Sequence, residues 1–120
     1  MTERLSKEER LRRRADYQRC YRDGRRRHGR FVTLHFAPNS SEFARLGITA
    51  TRKVGSAVIR NRLKRRVREI YRRWSERTSL SYVDMVVHLK PAARDASFQD
   101  LRQELLDLWR PLMRTPSPTS

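Results

Sequence analysis

The sequence predicts one α+β domain, an α-β sandwich with a single, mainly antiparallel sheet and the order helix, strand, strand, helix, strand, helix. Three observations predict it. The chain has 120 residues, room for one hydrophobic core and too little for two. Apolar residues recur at three- and four-residue spacing in two long segments, whereas three shorter runs have strand composition. No internal repeat is evident, and the order of elements suits helices laid on one sheet.

The first segment, roughly residues 1–24, is strongly charged and closes on Asp23-Gly24, a helix stop. Two boundaries compete within it. Ser6-Lys7-Glu8-Glu9 reads as a capping box that starts a helix early, while Arg12-Arg13-Arg14 reads as part of an extended basic arm feeding a shorter helix. The arm, about residues 1–12, with a helix near 13–22, is the favoured arrangement. On such a helix Tyr17 and Tyr21 share one face.

Phe31 to Phe36, FVTLHF, has strand composition, and Pro38-Asn39-Ser40-Ser41 supplies a turn, so a hairpin with the next strand is expected. In that strand Leu46, Ile48 and Ala50 alternate with Gly47, Thr49 and Thr51. One face is therefore apolar, and the other is small and polar, with Lys53 assigned to the polar face. An extended polar ligand or plain solvent would suit that face.

Residues 56–74 carry the clearest helical signal, with Ile59, Leu63, Val67, Ile70 and Trp74 forming one apolar stripe. Beside it Arg60, Lys64, Arg68 and Arg72 make an i, i+4 ladder flanked by Asn61 and Arg65. Like charges at that spacing repel by a few tenths of a kcal/mol per pair. Glu69 is the helix's only acid before Glu76, so a polyanion is the expected neutraliser. After a polar link, YVDMVVHLKP reads as a buried strand stopped by Pro91. Ser97 and Asp100 then cap a helix whose stripe is Phe98, Leu101, Leu105, Leu108 and Leu112. The domain spans 1–113, and the tail 114–120, without apolar content, reads as disordered.

Lys and Arg number 29 against 13 Asp and Glu, a formal charge of +16. That self-repulsion calls for a polyanionic partner, and it leads to the expectation that the free chain is partly unfolded at low ionic strength. Most of the charge is arginine, whose planar fork pairs with phosphate and stacks on bases. Nucleic acid is favoured over membrane, because no apolar run approaches the roughly 20 residues of a membrane span. MTERLSKEER lacks the apolar core of a secretory signal, and Cys20, the only cysteine, cannot form an internal disulfide. A cytoplasmic location is expected.

Catalytic machinery is hard to find in the chain itself. His28, His35 and His88 are scattered and read as structural or surface residues. No His/Cys set has zinc spacing, no glycine-rich loop would cradle phosphate, and no carboxylate pair stands out for acid/base work. These absences suit a protein that assists chemistry done elsewhere.

Residues 52–68 run Arg52-Lys53-Val54-Gly55-Ser56-Ala57-Val58-Ile59-Arg60-Asn61-Arg62-Leu63-Lys64-Arg65-Arg66-Val67-Arg68. This stretch resembles the signature of the bacterial ribonuclease P protein family, with the Ala-Val-x-Arg-Asn-Arg-x-Lys-Arg core intact. The likeness continues through the arm, the spaced aromatics, Lys90-Pro91-Ala92 and the closing helix, about residues 5–112.

The resemblance implies a heterodimer of one catalytic RNA and one protein, in which the ribonuclease P RNA performs Mg²⁺-dependent hydrolysis that removes the 5′ leader of precursor tRNA. The Mg²⁺ would be held mainly by the RNA, with no organic cofactor and no catalytic residue from the protein. Arg60, Asn61, Arg62, Lys64, Arg65 and Arg68 would face the catalytic RNA, although Arg62 falls away from the ladder on the helical wheel. Tyr17, Tyr21, Thr49, Thr51 and Lys53 would line a cleft for the single-stranded leader, with core packing the competing role for the tyrosines. A left-handed crossover around the basic helix, as in a related ribosomal-protein fold, is also implied. Leu34 stands where some relatives carry an aromatic, and Arg52 where a Lys is common. A structural ribosomal or other RNA-binding protein, and a DNA-binding regulator, are the alternatives to this reading.

Overall fold

The computed structural model describes residues 5–114. A short 3₁₀ turn, Lys7–Glu9, precedes helix α1, Arg14–Asp23. Strands β1 (Arg25–His28), β2 (Val32–Pro38) and β3 (Arg45–Ala50) follow, then helix α2 (Ala57–Arg73), strand β4 (Val83–Leu89) and helix α3 (Phe98–Trp109). The sheet order is β1-β2-β4-β3. Two pairings are antiparallel, and β3 with β4 is parallel. The disordered tail expected over 114–120 lies outside the described residues save for Arg114, whose guanidinium donates to the Thr78 carbonyl at 3.1 Å.

Two sequence expectations are overturned. Arg25–His28 forms a strand that no apolar alternation announces, because its side chains are all exposed on the outer edge of the sheet. Arginine on an edge strand also discourages pairing with another chain. The expected hairpin between β2 and β3 does not form, because β4 lies between them and pairs with both. Local sequence favoured the hairpin, but β4 is buried along nearly its whole length and takes the central position.

The sheet separates two unequal layers. On one face Leu34, Ile48, Met85, Val87 and Leu89 meet Leu63, Val67 and Ile70 of α2 and Leu101, Leu105 and Trp109 of α3. Trp109 stacks on Trp74 with ring centroids 5.8 Å apart. On the other face α1 packs through Cys20, with Leu11 and Tyr17, against Ala37 and Val86. This second layer is thin, so it leaves part of the sheet's polar face open.

Side chains fix the ends of the elements. Ser56 Oγ accepts from the Ile59 amide at 3.3 Å, and Ser97 Oγ from the Asp100 amide at 3.0 Å, capping α2 and α3. The Ser6–Glu9 capping contacts do form, with Glu9 Oε1 accepting from the Ser6 amide at 3.3 Å, but they close only the 3₁₀ turn. The chain then extends as an arm, and Arg10 bridges Leu46 in parallel register on the free edge of β3. Glu104 of α3 accepts from the amides of Arg30, Phe31 and Val32 at 2.7, 2.8 and 2.9 Å, locking the β1–β2 turn to the helix layer.

Candidate nucleic-acid interface

Gly55, with φ of 152°, makes the turn into α2 in a conformation that L side chains rarely adopt. Its carbonyl accepts from Arg60 Nε at 3.2 Å, so the first arginine of the motif is oriented against its own helix start. Because Leu63, Val67, Ile70 and Tyr71 are buried, the polar residues divide around them. Arg60, Lys64 and Arg68 run along one flank at i, i+4 spacing, and Asn61 and Arg65 point outward. Arg62 lies on the opposite flank, where it lines a cavity of about 300 Å³ with Arg65, Arg66, Glu69 and Phe98.

Glu69 is committed elsewhere. Its carboxylate accepts from Arg72 at 2.6 Å and from Arg73 at 2.5 Å, and Arg72 above all pulls its pKa below the usual carboxylate value. Among the described residues, no carboxylate pairs with Arg60, Arg62, Lys64, Arg65, Arg66 or Arg68. The first turns of α2 therefore present unneutralised cations to solvent.

A second surface lies between α1 and β3. The ring of Tyr17 rests on Gly47, where only a missing Cβ leaves room for it. The Tyr17 hydroxyl donates to the Leu11 carbonyl at 3.2 Å and so ties the arm to the helix. Burial raises its pKa. One turn on, Tyr21 is 40% exposed, with one edge of its ring against His35 at 4.5 Å between centroids. Its hydroxyl and Thr49 Oγ1 hydrogen-bond at 2.7 Å, and Thr49 Oγ1 meets His88 Nδ1 at 2.9 Å.

The structure thus brings Tyr17, Tyr21 and Thr49 together. Thr51 and Lys53 are exposed and lie past the end of β3, at the start of and within a 3₁₀ turn, Arg52–Val54, that buries Val54, so the assignment of Lys53 to the polar strand face is overturned. The strand ends at Ala50, and the turn redirects the chain towards α2. Leu34 is fully buried on the opposite face of the sheet, and the side chain beside Tyr21 at the cleft floor is His35. Alternation along β2 held that signal: Thr33 and His35 are the polar residues between apolar Val32, Leu34 and Phe36.

The anchor of α1 was also missed. Asp84 is fully buried and accepts from Arg45 Nε at 2.7 Å, Arg45 Nη2 at 2.8 Å and Asn39 Nδ2 at 2.8 Å, and it also pairs with Arg19 of α1. An acid inside an otherwise apolar strand was the available sign. Next to it, Lys7, Arg10, Arg12, Arg13 and Arg45 line a groove of about 620 Å³ at the start of α1. Among the described residues no group of three or more His, Cys, Asp or Glu is placed to hold a metal ion, and no helix is long and apolar enough to cross a membrane.

Comparison with known proteins gives a consistent result. The family model for ribonuclease P matches residues 5–113. The ribonuclease P protein component of Syntrophus aciditrophicus is 38% identical over 101 residues, 84% of each chain. Among solved structures, the RNase P protein of Thermotoga maritima superposes with a TM-score of 0.77 at 32% identity, covering 88% of this chain and 99% of that one. The Staphylococcus aureus RNase P protein superposes at 0.78 with 26% identity, covering 88% and 98%.

Proposed function

The chain belongs to the ribonuclease P protein family, and from that premise we propose that it binds the catalytic RNA through α2 and the 5′ leader of precursor tRNA through the cleft beneath α1. The observation that carries this reading is the coexistence of two different surfaces. One is a helix whose cations from Arg60 to Arg68 lack acidic partners among the described residues, and the other is an aromatic cleft floored by small polar groups.

Each surface suits its partner. Arg60, Arg62, Lys64, Arg65 and Arg68 hold phosphates of a folded RNA, and Asn61 makes a directional hydrogen bond to a 2′-hydroxyl or base edge. In the cleft, Tyr17 and Tyr21 offer rings to unpaired bases at about 1–3 kcal/mol per base with little sequence preference, which suits a leader of variable sequence. Thr49 and Thr51 add hydroxyl partners, and Lys53 adds a charge where the cleft opens. Hydrolysis, on this reading, is carried by the RNA with its own Mg²⁺, in a cytoplasmic particle of one RNA and one protein. On the same reading the chain's part is to bind and orient its two RNA partners.

Equilibrium binding to the cognate catalytic RNA across ionic strength tests the assignment. Joint replacement of Arg60, Arg65 and Arg68 by alanine is expected to make the salt dependence shallower by roughly 0.7–0.9 per lost phosphate contact. Joint replacement of Tyr17 and Tyr21 by alanine should leave that RNA bound as before and weaken leader-dependent binding of precursor tRNA. Equal losses of both partners from either variant would contradict two separate surfaces.

A further inference from the structure

Beyond α1 the polar face of the sheet carries a row that crosses all four strands. Thr49 of β3 stands opposite His88 of β4, His88 opposite Thr33 of β2, and Thr33 opposite His28 of β1. The row is knit by hydrogen bonds: Thr49 Oγ1 with His88 Nδ1 at 2.9 Å, and Thr33 Oγ1 with His28 Nδ1 at 3.3 Å. Tyr21 joins one end through Thr49 at 2.7 Å. At about 4.8 Å between strands, the row runs about 14 Å from the cleft to the outer edge of the sheet.

The adjacent row is Gly47, Val86, His35 and Arg26, with Tyr17 over Gly47 and Tyr21 against His35. α1 covers that row as far as His35, and Arg26 emerges from beneath it on the exposed strand β1. The sole acid among the strand residues on this face is Asp84, which is buried at the far end and taken by Arg19 and Arg45. Arg26 and His28 have no acidic partner among the described residues. Chemically, then, the track alternates hydroxyls with planar rings that both stack and hydrogen-bond, and it ends in positive charge.

We propose that this Thr49–His88–Thr33–His28 row, with Arg26 at its outer end, is a second single-stranded RNA track, along which the leader continues from Tyr21 across the sheet to the β1 edge. The proposal rests on the leader reading of the cleft and extends it to residues on three further strands. Thr33 is buried and holds the His28 ring in place through its hydroxyl. His88 meets a base edge or 2′-hydroxyl, the His28 ring stacks on a base, and Arg26 meets a phosphate. A leader of one nucleotide does not reach the row.

The test uses the holoenzyme assembled on the cognate catalytic RNA and precursor tRNAs carrying a one-nucleotide, a short or a long leader. With Arg26→Ala and His28→Ala together, affinity for the long leader should fall about tenfold, the equivalent of one stacked nucleotide, while the one-nucleotide substrate binds as before. For the long leader the salt dependence should become shallower by about 0.7, and Arg26→Lys alone should keep it. Equal weakening at every leader length, or undiminished affinity for the long leader, would overturn the track and leave the cleft assignment standing. A wild-type holoenzyme indifferent to leader length would remove both.

Discussion

The ring of Tyr17 lies so close on Gly47 that a Cβ at position 47 would sit 2.6 Å from both Cζ and the hydroxyl oxygen of the tyrosine. One residue on β3 without a side chain therefore sets how deeply α1 sits over the sheet, and with it the shape of the cleft. Gly47→Ala must push the ring outward. The expected outcome is a stability loss of about 1–3 kcal/mol from overpacking. Leader-dependent affinity should drop, while affinity for the catalytic RNA, measured in the same titrations, stays within about twofold because α2 packs on the opposite face.

Asp84 fastens the same helix from the other end. Asp84→Ala leaves Arg19, Arg45 and Asn39 without their common acceptor. Breaking a buried pair by removing one partner costs about 3–5 kcal/mol, and the partial exposure of both arginines puts the expected value near the lower end. Urea denaturation of the variant at fixed sulfate checks it. A loss under about 1 kcal/mol would show that the cluster is not holding α1.

The two histidines nearest Tyr21 give the fold a pH dependence. Burial lowers the pKa of His35, with His88, Arg26 and His28 adding to the effect, and burial alone lowers that of His88. Both rings are thus harder to protonate in the folded chain than in the unfolded one, so the unfolded state takes up protons first as pH falls. Their contribution to stability is complete above the ordinary value of 6.5 and declines as pH drops below it towards their lowered values. Thermal unfolding followed across that window should show the melting temperature falling on acidification. His35→Gln with His88→Gln should flatten the fall, and an unchanged slope would assign it to other groups.

What the sequence made legible follows from how local each signal was. The stripe of Leu63, Val67 and Ile70 and the caps Ser56 and Ser97 are periodic or adjacent features, so α2 and α3 were readable to within a few residues. β1 was not, because Arg25–His28 buries nothing and owes its conformation to pairing with β2. The placement of β4 between β2 and β3 is a long-range choice that no local pattern encodes. In the cleft, Tyr17, Tyr21 and Thr49 came from spacing and resemblance together. His35 and Asp84 stood out as polar residues within apolar strands, but what they touch, and what His88 touches, followed only from the register that set their strands side by side.

Net charge of +16 on 120 residues works against the compact state of the free chain. Anions that bind the folded form stabilise it by mass action. Circular dichroism in dilute buffer should therefore show a gain of helix and strand signal on adding sulfate, at unchanged pH. Full native signal in the absence of such anions would contradict this expectation.

Cleavage of precursor tRNA by the cognate ribonuclease P RNA at low Mg²⁺, with and without the protein, tests the central claim most directly when full-leader and one-nucleotide-leader substrates are compared. The expected result is stimulation that is greater for the full leader and is lost when Arg60, Arg65 and Arg68 are replaced together. Absence of stimulation at every Mg²⁺ concentration, or equal stimulation of both substrates, would contradict a chain that joins catalytic RNA to leader through two surfaces.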